Sequence, residues 1–213
     1  MTAMPEAVIV SVRNLSVRYA QKGQEHVQAL ENLSLDLPHA SSIGLCGESG
    51  CGKSTLARCI AGWRQPTTGE VIRRGPVQLV MQEPGASLNP RFTAREILEE
   101  PLRIAGRLPE ATGMVAGLLR RIGLGDGIAH KRSPQFSGGE RARLAIARAL
   151  AAMNGERGGL LILDESLAAL DAATRDGILA LLRELRFEKG LALLLVSHDP
   201  GTLERAVERV ISI

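Results

Sequence analysis

The chain has 213 residues, enough for one domain of ordinary size with a sizeable apolar core and too few for two large ones. Hydrophobic residues make up 45% and charged residues 23%, a globular balance, and the net charge of +3 is spread over pairs such as Arg73-Arg74, Arg120-Arg121 and Lys131-Arg132, with no block that reads as a nucleic-acid arm. Aromatics are only 2% of the chain, which removes stacking platforms for single strands, so nucleic acid is not an expected partner. No apolar run approaches the roughly 18 residues of a membrane span, and the N-terminal stretch has no basic segment ahead of an apolar signal core. Secretion and self-insertion are not expected. Cys46, Cys51 and Cys59 are odd in number and crowded into one stretch, which is neither a disulfide framework nor a metal-ligand spacing, so a reducing cytosol is expected.

In chain order, Val8 to Val12 is a β-branched run, Leu33, Leu35 and Leu37 alternate, and Ile43 to Cys46 is short and apolar, which predicts strands and an antiparallel sheet at the start. Thr55 to Trp63 reads as a helix closed by turn residues over Gln65 to Gly69. Val77 to Met81 reads as a buried strand. Two prolines and a Gly-Ala-Ser stretch then make Glu83 to Pro90 a loop, with helical pieces to about residue 122. Leu144, Ala147 and Ala151 share one helical face, Leu160 to Leu163 is a strand, and Asp171 to Glu188 a helix. Leu191 to Val196 is another strand, Thr202 to Arg209 a last helix, and Val210 to Ile213 a final strand. Short all-apolar strands alternating with helices predict a mostly parallel sheet covered on both faces.

Gly47, Glu48, Ser49, Gly50, Cys51, Gly52, Lys53, Ser54 and Thr55 fit the phosphate-loop pattern, and they fall between a predicted strand and a predicted helix, where that mechanism needs them. The glycines let backbone N–H groups turn inward around phosphates, and the helix that follows adds the positive end of its dipole. Lys53 supplies a mobile charge for the terminal phosphates of a nucleotide, and the Ser54 hydroxyl is offered to Mg²⁺. A glycine-rich structural turn is the plainer alternative. Leu160 to Glu165 is an apolar strand ending in two carboxylates, with Asp164 placed to hold the Mg²⁺ water shell and Glu165 to polarise the attacking water. His198 ends another apolar strand; it is either a surface turn histidine or a side chain reaching the γ-phosphate.

Gln135 to Glu140, with the helix-forming run to Leu150, resembles the ABC signature, and with the phosphate loop, the Asp-Glu strand and His198 it makes the chain similar to ATP-binding-cassette ATPases over nearly its whole length. Ser137 also suits the cap of a helix starting at Gly138, with Glu140 completing a capping box. The resemblance implies an α/β P-loop NTPase fold: a mostly parallel sheet core, an antiparallel β subdomain and a helical subdomain at about 83–135 inserted in a single domain over 1–213. It also implies that Ser137, Gly138 and Gly139 bind the γ-phosphate held by a second ATPase subunit, with Asp171 near the dimer seam. Gln82 becomes the glutamine joining Mg²⁺ and water to a partner-contacting loop, and Tyr19, the only tyrosine, an adenine-stacking ring; a strand-edge anchor is the alternative for Tyr19. Cys51 fits as a small loop residue.

Gln82 to Arg91 and Arg95 to Leu102 are similar to the corresponding stretch of the dipeptide, oligopeptide and nickel importer ATPases. That resemblance implies ATP hydrolysis powering uptake of a small solute such as peptide or nickel. The implied partners are transmembrane permease subunits, a homo- or heterodimeric second cassette and a solute-binding protein, at the cytoplasmic face of the membrane. A non-transport complex or a weakly hydrolysing regulatory cassette is the other reading. Three departures stand out: Glu140 in place of the frequent glutamine, a short interval from Lys53 to Gln82 that implies a trimmed antiparallel subdomain, and an end at Ile213 that leaves out the further strands of those importers.

Overall fold

The computed structural model describes residues 8–19, 27–153 and 158–213. They form two compact units, the first falling within Met1–Leu79, Glu156–Asp164 and Arg186–Ile213 and the second within Val80–Gly155 and Glu165–Leu185.

The first unit carries an antiparallel sheet of β2 (Val27–Pro38), β1 (Val8–Tyr19) and β4 (Thr68–Arg73), in the order β2-β1-β4. Val10, Val12, Leu15 and Val17 of β1 are buried, as expected of β-branched and apolar residues on a half-buried pleated surface. The register slips between Val12 and Leu15, where Asn14 takes φ 47°, a left-handed conformation that asparagine tolerates at a bulge. Thr68 and Gly69, read from the sequence as turn, belong to β4, an edge strand almost wholly exposed and so without a hydrophobic alternation to reveal it.

The second sheet runs β5-β6-β7-β3-β8, comprising β5 (Val77–Val80), β6 (Gly159–Asp164), β7 (Leu191–Val196), β3 (Ser42–Cys46) and β8 (Arg209–Ser212). The pairs β6–β7, β7–β3 and β3–β8 are parallel. Every residue of β6, β7 and β3 is buried, which is why these strands appear in the sequence as continuous apolar runs. Helix α1 (Lys53–Ala61) contributes Leu56, Ala57, Cys59 and Ile60 to the same core as Leu45, Ile162 and Leu194.

In the second unit, α2 (Ala94–Ile104) starts with a Thr93–Glu96 capping box, followed by α3 (Met114–Arg121) and α4 (Gly138–Ala152). Ile97, Leu98 and Leu102 of α2 and Leu144 of α4 are buried, and Arg148 of α4 pairs with Glu100 of α2 at 2.8 Å. Helix α5 (Ala172–Lys189) begins in this unit and ends in the first. Pro84–Ser87 is a 3₁₀ turn where the sequence reads as loop. Helix α6 (Pro200–Ala206) starts two residues before the predicted Thr202, because Asp199 accepts from the Gly201 amide at 3.0 Å and Pro200 takes the first helical position.

Candidate nucleotide site

Between the end of β3 at Cys46 and the start of α1 at Lys53, the chain makes a loop whose conformation only glycine permits at its last position. Gly52 has φ 103°, and a Cβ there would run into the Ala29 carbonyl. The N-terminus of α1 has no side-chain cap and no acidic residue in its first turn, so its amides and positive dipole end are left for an anion. Ser49 and Gly50 are exposed, and a Cβ on Gly50 would meet nothing within 4 Å. Lys53 is 6% exposed; its Nζ donates to the carbonyls of Gly47 and Glu48, each at 2.7 Å, which holds the charge beneath the loop. The Cys51 sulfur lies 3.7 Å from Lys53 Nζ. Thr55, buried in the first turn, shares a 3.1 Å hydrogen bond with the Tyr19 hydroxyl, and Arg64 lies 3.8 Å over the Tyr19 ring.

Parallel register aligns the strand ends of this unit. Asp164 pairs with Val196, and Val196 pairs with Leu45. Gly47 follows Leu45 by two residues and His198 follows Val196 by two, so Asp164, His198 and the phosphate loop share the carboxyl edge of the sheet. Parallel α/β sheets bind ligands at that edge. Asp164 is 3% exposed and His198 is exposed.

The second unit assembles other residues read from the sequence. Gln82 Nε2 donates to Glu165 Oε2 at 3.1 Å, across 83 residues of chain. Glu165 has φ 50°, a conformation unusual for a residue with a side chain. Ser137 Oγ accepts from the Glu140 amide at 3.2 Å while Glu140 Oε2 accepts from the Ser137 amide at 2.8 Å, the capping box expected at α4. A Cβ on Gly138 would meet nothing within 4 Å, so the approach to this helix start is open. Asp171 caps α5, accepting from the Thr174 amide at 2.9 Å and the Thr174 hydroxyl at 2.7 Å.

The Ser137 amide, then the Ser137 side chain, hold the Glu140 carboxyl below its ordinary pKa. A depressed folded-state value means the stabilisation is complete above the unfolded value of about 4.3 and is lost as pH falls through the folded value. Melting Glu140→Gln beside the native chain should therefore show a deficit of about 1 kcal/mol or less near neutrality. That deficit should close as the pH falls below the lowered folded-state value of the Glu140 carboxyl. A gap independent of pH would mean the charge does not contribute to the cap.

Magnesium characteristically takes few protein ligands, oxygens only, and completes its shell with phosphates and water. The Ser54 hydroxyl and the Asp164 carboxylate are oxygen donors of that type, and among the described residues no group of three or more His, Cys, Asp or Glu could hold a metal unaided. The donor set fits a magnesium ion that arrives with a nucleotide.

One open groove of about 610 Å³ lies in the second unit, lined by Gln82, Pro84, Leu88, Pro134, Arg141 and Ala169 among others. Arg141 lies against Gly85, whose Cβ, if present, would come within 2.9 Å of its Nε. Glycine at 85 and arginine at 141 match no local pattern, so this pair leaves no trace in the residue order.

A buried parallel strand, a glycine-rich turn, an uncapped helix start and a lysine held beneath the loop define a P-loop nucleotide-binding protein of the α/β class. A family model described as ABC transporter matches residues 30–168. The nickel import ATP-binding protein NikE of Escherichia coli strain K12 is 36% identical over 224 residues, covering 95% of this chain and 82% of NikE. NikE of Shigella sonnei matches to the same extent. Among solved structures, dimeric MJ0796, a bacterial ABC transporter cassette, superposes with a TM-score of 0.84 at 31% identity, covering 96% of this chain and 94% of that one. An inward-facing, putative metal-chelate type ABC transporter shares the fold, with a TM-score of 0.77 at 24% identity over 96% of this chain and 79% of that one. The chain belongs to the ABC transporter ATP-binding family, whose members are ATPases. Among the described residues no helix is long and apolar enough to cross a membrane.

Proposed function

We propose that this chain is the ATP-hydrolysing subunit of an importer for a small solute such as nickel or a peptide. The observation that carries the reading is the 36% identity to the nickel import protein NikE across 95% of the chain. In this reading Lys53 and the loop amides hold the triphosphate, and Tyr19 stacks on adenine. Ser54, Asp164 and Gln82 are the residues that would hold Mg²⁺, which when bound neutralises phosphate charge. Glu165 polarises the attacking water and His198 contacts the γ-phosphate. Ser137, Gly138 and Gly139 face the nucleotide of a second cassette, identical or different, with Asp171 near the seam. The dimeric form of MJ0796 supports this arrangement.

In this reading the groove along Pro84–Ser87 and Arg141 receives a cytoplasmic loop of a permease, the chain sits peripherally at the inner face of the membrane, and a solute-binding protein belongs to the same system. Co-expressed with neighbouring permease genes, the chain should sediment with membranes, and cells carrying the set should take up radiolabelled nickel or dipeptide in an ATP-dependent way. A chain that stays in the supernatant with every such permease present has a non-transport role.

A further inference from the structure

Tyr19 is pinned from both ends of α1. Its hydroxyl is bonded to Thr55 in the first turn at 3.1 Å, and Arg64, just beyond the last turn, places its guanidinium 3.8 Å over the ring. Arg64 is itself fixed in two ways. Its backbone amide and that of Trp63 both donate to the Arg58 carbonyl, at 3.3 and 2.9 Å, in the turn that closes α1 at Gly62. Its Nη2 donates to the Arg18 carbonyl at 3.1 Å, next to the tyrosine it covers. A planar cation held in this way fixes both the plane of the ring and its distance from the helix whose other end carries Lys53. Among the described residues Arg64 is the cation stacked on Tyr19, which also packs half-buried against the hydrophobic core of this unit.

We infer that Arg64 is a positioning residue for the nucleotide base: it locks Tyr19 from behind so that the ring's other face meets adenine at a fixed distance from the phosphate loop. The assignment rests on the reading that Tyr19 stacks on the base.

The test uses the full chain and competition against a ribose-labelled fluorescent ATP, with ATP and tripolyphosphate as competitors. Cation–π contacts predict that Arg64→Ala weakens ATP about threefold to tenfold. Tripolyphosphate, which has no base, should bind unchanged. Tyr19→Ala should show the same split, and the double variant should lose no more than Tyr19→Ala alone. Arg64→Gln, which keeps a polar plane but no charge, should behave like Arg64→Ala, so the test stands if one of the two fails to fold. If Tyr19→Ala weakens ATP and neither Arg64 variant does, the positioning role is overturned while the base-stacking reading survives. If Tyr19→Ala leaves ATP affinity intact, the stacking reading falls and the inference with it. Tighter ATP binding by the Arg64 variants would make Arg64 a competitor for the ring, and equal losses of ATP and tripolyphosphate would make it a support of the loop as a whole. Either result overturns the assignment.

Discussion

Glu165→Gln should slow ATP hydrolysis by on the order of 10² or more, the usual range for a lost acid–base group, while ATP still binds. An amide occupies the same space as the carboxylate but cannot polarise or deprotonate water. Lys53, Ser54 and Asp164 are untouched by the change, so the phosphate contacts proposed for them remain. With hydrolysis blocked, ATP should hold two cassettes together, and light scattering should report a dimer that disperses when nucleotide is removed. Adding Ser137→Arg places a bulky cation at the exposed start of α4, where Gly138 leaves the approach open. The dimer should then be lost while ATP binding persists. The assay should be repeated with any neighbouring ATPase subunit, since a heterodimer is equally compatible with the proposed composite site. Full turnover in Glu165→Gln would place the base elsewhere, and failure of both samples to dimerise would end the composite-site mechanism for this chain.

What the sequence revealed and what it concealed follows from the range of each interaction. Strands β6, β7 and β3 are buried throughout, so burial wrote itself into contiguous apolar residues. The phosphate loop was equally legible, because a strand, a tight glycine turn and a helix start are neighbours in the chain. The capping box at Ser137 and Glu140 spans four residues and is equally visible in the residue order. Strand β4 was missed because it faces solvent at a sheet edge and pairs with β1 some sixty residues earlier, at Val10↔Arg73 for example. The hydrogen bond between Gln82 and Glu165 and the stack of Arg64 on Tyr19 join polar residues far apart in sequence, and such pairs leave no periodic trace. Resemblance to a family singled out Gln82 and Tyr19; nothing in the residue pattern singled out Arg64.

Lys53 offers the sharpest test of the phosphate loop itself. Its ammonium is buried and donates to the carbonyls of Gly47 and Glu48, which hold the charge beneath the turn. A hydrogen bond to a charged group contributes roughly 1.5–3 kcal/mol, so Lys53→Ala should weaken ATP about tenfold to a hundredfold by calorimetry. The same change also removes a buried stem and leaves two loop carbonyls without their donor, which costs stability by a separate route. Lys53→Met separates the two effects. It restores apolar volume without charge, so its melting temperature should lie closer to the native value than that of Lys53→Ala, while its ATP affinity should be as low. Adenosine, which carries no phosphate, should bind both variants as it binds the native chain, because the base contact proposed for Tyr19 does not involve the lysine. If a folded Lys53→Met chain binds ATP with native affinity, the loop from Gly47 to Gly52 is a structural turn, and the roles proposed for Ser54 and Asp164 lose their basis.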